Sequence, residues 1–355
     1  MDDLMKAKHL LDDLGEIVCL TFIKGVDEAE ALRRLGGYPD TISEQAPDLL
    51  MERLQDSGDD IQIGFSVGLG PWSLVIEPEG FCGADHVLLK AASTGVEAIS
   101  VLRHDYAHAA FAYAVDGDLV TGFEPGYPDL SSMHGTDSHR LWPMMRQIGF
   151  HPPTEEDGEE VWSTSVARAL VLAQQITGVT LPSEPLSRPR LHAELEPWFA
   201  VPNHPEDMLT AGRFTLNPHA APLVAAVEAA DSRAQRKLAL AEVRRQAIAL
   251  GVIDTPGLND VLRAASDGEF LPIRSDSPLG QHVRIWLATS RNARNIDPEQ
   301  QRHANALGWF TGALRGVLNP DSRFAALAAV KPLTSGIPGL SDHHLQRQAI
   351  EALRG

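Results

Sequence analysis

Phe111-Ala112-Tyr113-Ala114-Val115-Asp116-Gly117-Asp118-Leu119-Val120-Thr121-Gly122-Phe123 is the stretch that decides the fold of the first half of the chain. Large and small side chains alternate over residues 111–115, the period of a strand with one face filling a core. Asp116-Gly117 supplies the positive backbone dihedrals of a two-residue type I′ turn, and residues 119–123 return antiparallel. Upstream, residues 16–23 form an apolar, β-branched run of strand length closed by Gly25. Residues 61–67 and 72–76 read as strands on either side of Gly68-Leu69-Gly70-Pro71, and residues 98–103 read as a further strand.

Helices fall between and after these strands. Asp27 caps a helix over residues 28–35 that stops at Gly36-Gly37, and residues 49–54 and 86–92 are helical. Residues 140–148 form another helix, with Asp137 or Ser138 as its N-cap. Over residues 165–177, Val166, Ala169, Leu170, Ala173 and Ile176 make one apolar stripe, and Gly178 stops the helix. The expectation is an α+β domain, a mostly antiparallel sheet with helices on one face.

Several of these pieces carry a resemblance in their order. The strand Cys19-Leu20-Thr21-Phe22 precedes the helix end Arg33-Arg34-Leu35-Gly36-Gly37, and Val75-Ile76-Glu77-Pro78-Glu79-Gly80 follows. Then come the Asp116-Gly117 hairpin with Phe123-Glu124-Pro125, Met144-Met145-Arg146-Gln147-Ile148-Gly149-Phe150, and Gln175-Ile176-Thr177-Gly178-Val179. Over residues 15–182 the chain resembles the actinobacterial domain of unknown function 6461. The resemblance implies a shared fold and carries no catalytic residues with it.

Past residue 215 strand signals vanish and alanine dominates. Helices are expected over 222–230, 234–250, 259–265, 280–289, 298–318, 321–330 and 341–353. Pro222 sits at a first turn, Asp297-Pro298 and Pro320-Asp321 mark starts, and Gly251, Pro256-Gly257 and Ile337-Pro338-Gly339 mark breaks. No fixed repeat period emerges, so a plain bundle is preferred over a helical-repeat array. Between the halves, Leu181-Pro182-Ser183-Glu184-Pro185-Leu186-Ser187-Arg188-Pro189 is proline-rich and reads as extended. The division expected is an acidic α+β domain over 1–182, a Pro-rich linker over 183–212 and an all-α helical domain over 213–355.

Charge supports that division. Residues 1–182 hold 30 Asp+Glu against 11 Lys+Arg, while residues 183–355 hold 18 against 19, and all but Lys237 and Lys331 of those 19 are Arg. The whole chain, 355 residues at a net charge of −18, is too acidic for a general nucleic-acid binder, and the exclusion is firm for 1–182. No apolar run is long enough to cross a bilayer. The acidic start lacks the pattern of a secretory signal, and two cysteines fit no disulfide framework or zinc spacing, which points to the cytoplasm.

Gly64-Phe65-Ser66-Val67-Gly68 matches a nucleophile elbow in letters, but a second strand follows it where the elbow needs a helix. His104-Asp105-Tyr106-Ala107-His108 is the most reactive-looking cluster: His104, Asp105 and His108 are the candidate catalytic residues, and His104 and His108 the candidate metal ligands. An extended backbone would hold the two histidines about 13 Å apart, so chelation needs a loop here. His134, His139 and His151, with Asp129 and Asp137, form a second histidine-rich region that a fold could bring near. The run Glu155-Glu156-Asp157-Gly158-Glu159-Glu160 lacks the spacing of a calcium loop and reads as solvated. Arg284, Arg291, Arg294, Arg302 and Arg315, with Trp286 and Trp309, could line an anion-binding face, and His343-His344 reads as exposed. Phosphate-loop and dinucleotide fingerprints are missing, and the residues name no cofactor.

The leading expectation is therefore a cytoplasmic bacterial interaction, sensing or regulatory module. It would bind a protein or small-molecule partner or associate with itself, without entering a membrane. The alternatives are an enzyme using His104, Asp105 and His108 near the domain junction, and an immunity or conflict-system protein whose acidic surface masks a basic partner.

Overall fold

A computed structural model describes residues 3–57, 61–152, 163–201 and 220–354. The acidic run 155–160 and the second part of the expected linker, 202–212, lie outside the described residues. The chain divides into two compact units, Met1–Val201 and Pro202–Gly355.

The first unit runs α1 (Asp3–Leu14), β1 (Ile17–Lys24), α2 (Glu28–Arg34), β2 (Ser43–Gln45), α3 (Pro47–Ser57), β3 (Gln62–Leu69), β4 (Trp72–Pro78), α4 (His86–Ala92), β5 (Glu97–His104), β6 (Ala110–Val115), β7 (Asp118–Phe123), α5 (Trp142–Gln147), α6 (Ser165–Thr177) and β8 (Arg190–Leu195). The strands form one sheet in the order β2-β8-β3-β4-β1-β5-β6-β7, with every neighbouring pair antiparallel. Asp116 and Gly117 both take positive φ, 49° and 84°, so the β6–β7 turn has the type I′ form its sequence announces. Phe111 stands opposite Phe123, and their rings stack at 4.9 Å.

The helices cover both faces of the sheet, where the sequence reading placed them on one. Along β1, Val18, Leu20 and Phe22 pack with Leu10 and Leu11 of α1 and Leu170 of α6. The alternate residue Ile23 packs with Leu32 of α2 and with Leu88 and Leu89 of α4. Residues 18–23 of β1 are all buried and, Thr21 apart, carry no side-chain oxygen or nitrogen, because neither face of the strand meets water there.

A second correction concerns the proline-rich stretch. β8 lies inside the expected 183–212 linker yet inserts between β2 and β3, pairing Leu191 with Ser66 and Ala193 with Gly64. Leu191, Ala193 and Leu195 alternate inward, so a period-2 strand survives between prolines that mask it. The first unit therefore extends past residue 182 to Val201. Asp27 caps α2 as expected, accepting the Glu30 N–H. α5 begins later than expected, at Trp142 behind Leu141, with no side-chain cap.

The second unit is helical: α7 (Ala221–Ala229), α8 (Ser232–Ala249), α9 (Leu258–Ser266), α10 (Pro278–Arg291), α11 (Pro298–Val317), α12 (Ser322–Val330) and α13 (His343–Arg354). Asp231, Asp297 and Asp321 accept the first free N–H groups of α8, α11 and α12. α8 packs along α12, and α13 returns to α7, pairings remote in sequence. In a solenoid each repeat touches only its neighbours, so these pairings mark a bundle.

Two glycines of α11 give a test. A Cβ at Gly316 would collide with Ala328 Cβ on α12, whereas a Cβ at Gly312 meets nothing within 4 Å. Gly316→Ala is expected to destabilise the helical unit by about 1–3 kcal/mol through overpacking. Gly312→Ala is expected to stabilise it by up to about 1 kcal/mol through helix propensity. Chemical denaturation of the two variants checks the pair.

Candidate functional site

The His104–His108 segment forms the β5–β6 connection. His104 ends β5 and its Nδ1 accepts the Tyr106 N–H at 3.3 Å. Asp105 binds the Arg103 guanidinium through both oxygens, each at 2.9 Å, while Arg103 also reaches Asp12. His108 hydrogen-bonds Glu124 at 2.9 Å on an open surface, and the exposed Tyr106 donates to Glu16. Each candidate thus has a separate partner. Among the described residues, no three His, Cys, Asp or Glu side chains gather as a metal-holding group.

The second histidine region lies elsewhere. His134 pairs through its backbone with Gly122 at the sheet edge, and its ring sits 5.0 Å from that of His86. His139 bonds the Leu130 carbonyl and His151 that of Pro152. In the helical unit Trp286 is buried against Phe310, and Lys331 lies over Trp309, so neither indole offers an open platform. Ser66 lies within β3, fully buried, with β4 following.

The structure assembles a different cluster, which the sequence reading passed over. Register sets Cys19 opposite Glu77 on β4 and Leu102 on β5, and Thr21 opposite Val75 and Ser100. Cys19, Thr21, Glu77 and Ser100 therefore share the sheet face that α2 and α4 cover, and all four are buried. Cys19 Sγ lies 3.3 Å from Ser100 Oγ and 3.7 Å from Thr21 Oγ1.

A short segment seals this cluster. After β4 the chain turns at Glu79, with φ of 55°, and makes a single 3-10 turn over Cys82–Ala84. The Cys82 N–H donates to Glu77 Oε2 at 2.8 Å, and the Gly83 N–H to Oε1 at 2.9 Å. Gly83 passes so close to β1 that a Cβ there would collide with Thr21 Oγ1. Both cysteines of the chain thereby face one carboxylate.

Electrostatics follow from the burial. Among the described residues no Lys, Arg or His pairs with Glu77. Burial pushes its carboxyl up to about 7, against the opposing pull of the Gly83 and Cys82 N–H groups and the two thiols. Burial also drives both thiols upward, reinforced at Cys19 by Glu77 and at Cys82 by Glu77, Cys19 and Glu196. Buried in this way, the two thiols are poor nucleophiles.

The motifs of this cluster belong to the region that comparison singles out. The sequence model of the family of unknown function DUF6461 matches residues 5–195. The chain belongs to that family. The match runs through β8, so the DUF6461 region contains the whole eight-stranded sheet. Neither a curated protein nor a solved structure matches the chain.

One sequence signal for the cluster was available. Glu77 continues the apolar run of β4 at the same parity as Val75, a position where a carboxylate must lie in the core. Because folding favours protonated Glu77, its contribution to stability is fully present below about 4.5 and is lost as pH rises through about 7. The stability difference between the parent chain and Glu77→Gln is expected to shift by on the order of 3 kcal/mol across that window. Urea unfolding of both at stepped pH checks this, and a pH-independent difference contradicts it.

Proposed function

We propose that this DUF6461 protein is a regulatory interaction module whose sheet unit receives a basic protein partner. The observation that carries the reading is the uncompensated negative charge of this half of the chain. Residues 1–201 hold 33 Asp+Glu against 13 Lys+Arg. Among the described residues, six of those cations form ion pairs within the unit: Lys6 with Asp3, Lys8 with Asp12, Lys24 with Glu97, Arg33 and Arg34 with Glu30, and Arg103 with Asp12 and Asp105. The remaining carboxylates set up a negative field that steers and retains a cationic surface.

Residues 202–355 are close to neutral, at 15 Asp+Glu against 17 Lys+Arg, and suit assembly with further copies or partners. A cytoplasmic setting fits the two free thiols, since a reducing compartment keeps cysteines unpaired. No described helix is long and apolar enough to cross a membrane.

The test is titration of the full chain with a fluorescent lysine-rich peptide and a glutamate-rich control. The lysine-rich peptide is expected to bind at low salt and to weaken roughly tenfold or more on reaching physiological ionic strength. Absence of binding at low salt, or equal binding of the acidic control, overturns the reading.

A further inference from the structure

We infer that the basic partner proposed above docks at the end of the sheet where β4, β5 and β7 finish and β1 and β6 begin, through an extended, arginine-bearing segment of a second protein. This rests on the reading of the sheet unit as the receiver of a basic partner, and it locates that contact. Register places the five strand ends side by side: Val18 stands opposite Pro78, Ile17 opposite His104, Leu102 opposite Ala110, and Phe111 opposite Phe123. The connections are also tied to one another. The Glu79 N–H donates to the Ile17 carbonyl at 2.9 Å, and the Asp105 N–H to that of Glu16 at 3.1 Å. Tyr106 donates to Glu16, His108 bonds Glu124 at 2.9 Å, and the Tyr127 N–H donates to the Glu124 carbonyl at 3.0 Å. From β4 to β7 there are four strand spacings of about 4.8 Å, so this ridge is about 19 Å long, the span of about six extended residues.

Apolar exposure singles out this end. Among the described residues of the first unit, six large apolar or aromatic side chains are exposed, and four of them lie here. Phe81 follows β4 and is 56% exposed, Tyr106 joins β5 to β6 and is 73% exposed, and Tyr127 and Leu130 follow β7. The other two, Met5 of α1 and Leu49 of α3, sit on helices. At the opposite end of the sheet, the connections 24–27, 69–71, 93–96 and 116–117 expose no large apolar side chain among the described residues. Apolar surface gathered at one end and withheld from the other marks an interaction site, where single scattered residues would not.

Charge decides what the partner brings. Residues 15–17, 78–85, 103–109 and 124–133 carry six carboxylates, Glu16, Glu79, Asp85, Asp105, Glu124 and Asp129, against one Lys or Arg, Arg103. Arg103 is held by Asp12 and Asp105, so it offers little to an incoming anion. Rings standing among carboxylates suit a guanidinium, which stacks on an aromatic face while pairing with a neighbouring carboxylate. Its methylene stem covers apolar surface such as that of Leu130. An ammonium is more strongly hydrated and has no plane to stack, so it gains less from the same setting. The same carboxylates repel nucleic acid and an anionic lipid surface.

The experiment titrates the full chain at low salt with two fluorescent peptides of equal length and charge, one basic through arginine and the other through lysine. The arginine peptide is expected to bind about threefold or more tighter than the lysine peptide. Replacing both rings, Phe81→Ala with Tyr106→Ala, is expected to weaken the arginine peptide about tenfold, at about two- to fivefold for each ring. Leu49→Ala, on α3, is expected to leave its binding unchanged. Amide hydrogen exchange of the unsubstituted chain gives a reading independent of any variant. The bound arginine peptide is expected to slow exchange at residues 79–81, 104–108 and 124–130 and to leave 93–96 and 116–118 as they were. Equal binding of the two peptides with no loss in the double variant, or protection confined to other residues, overturns this docking site while the basic-partner reading stands. If neither peptide binds, that reading falls and the docking site falls with it.

Discussion

Strand β1 has to hide both of its faces, and most of the first unit follows from that demand. One face, through Val18, Leu20 and Phe22, requires α1 and α6, and the other, through Ile23, requires α2 and α4. The second face is not wholly apolar. Cys19 and Thr21 lie between the aliphatic residues, so their polar atoms must find partners inside the core. Register brings Ser100 from one neighbour and Glu77 from the other, and the Cys82–Gly83 N–H groups satisfy the carboxylate that results. The segment 79–84 is thus the local solution to a polar patch that two-sided burial created.

The same burial separates two kinds of negative charge. The surface carboxylates of residues 1–201 act together at long range, screened by salt, and suit a cationic partner. Glu77 takes no part in that field while it is protonated, and it reports instead on local hydration. The long-range field and the ionisation of Glu77 are therefore physically distinct properties, and each can change without the other.

What the sequence disclosed was local. The Asp116-Gly117 turn, the Asp27, Asp297 and Asp321 caps and the apolar stripe of α6 each rest on residues a few positions apart, and each reappears in the structure. The features passed over depend on distant pairing. α1 is rich in charged residues and shows its apolar edge only against α6, while the prolines around β8 hide its alternation. The histidine segment drew attention because its residue types are reactive, yet at the turn after β5 each side chain finds a different neighbour. Cys19, Glu77 and Cys82 look unremarkable singly, and only antiparallel register makes them one cluster.

The polar core of the first unit turns on one quantity, the ionisation of Glu77 in the folded chain. Following its carboxyl carbon by NMR, assigned by comparison with Glu77→Gln, measures that quantity directly. The buried, cation-free setting predicts a midpoint near 7. A midpoint near the ordinary 4.5 would show that the carboxylate is already solvated or paired, and would contradict the account.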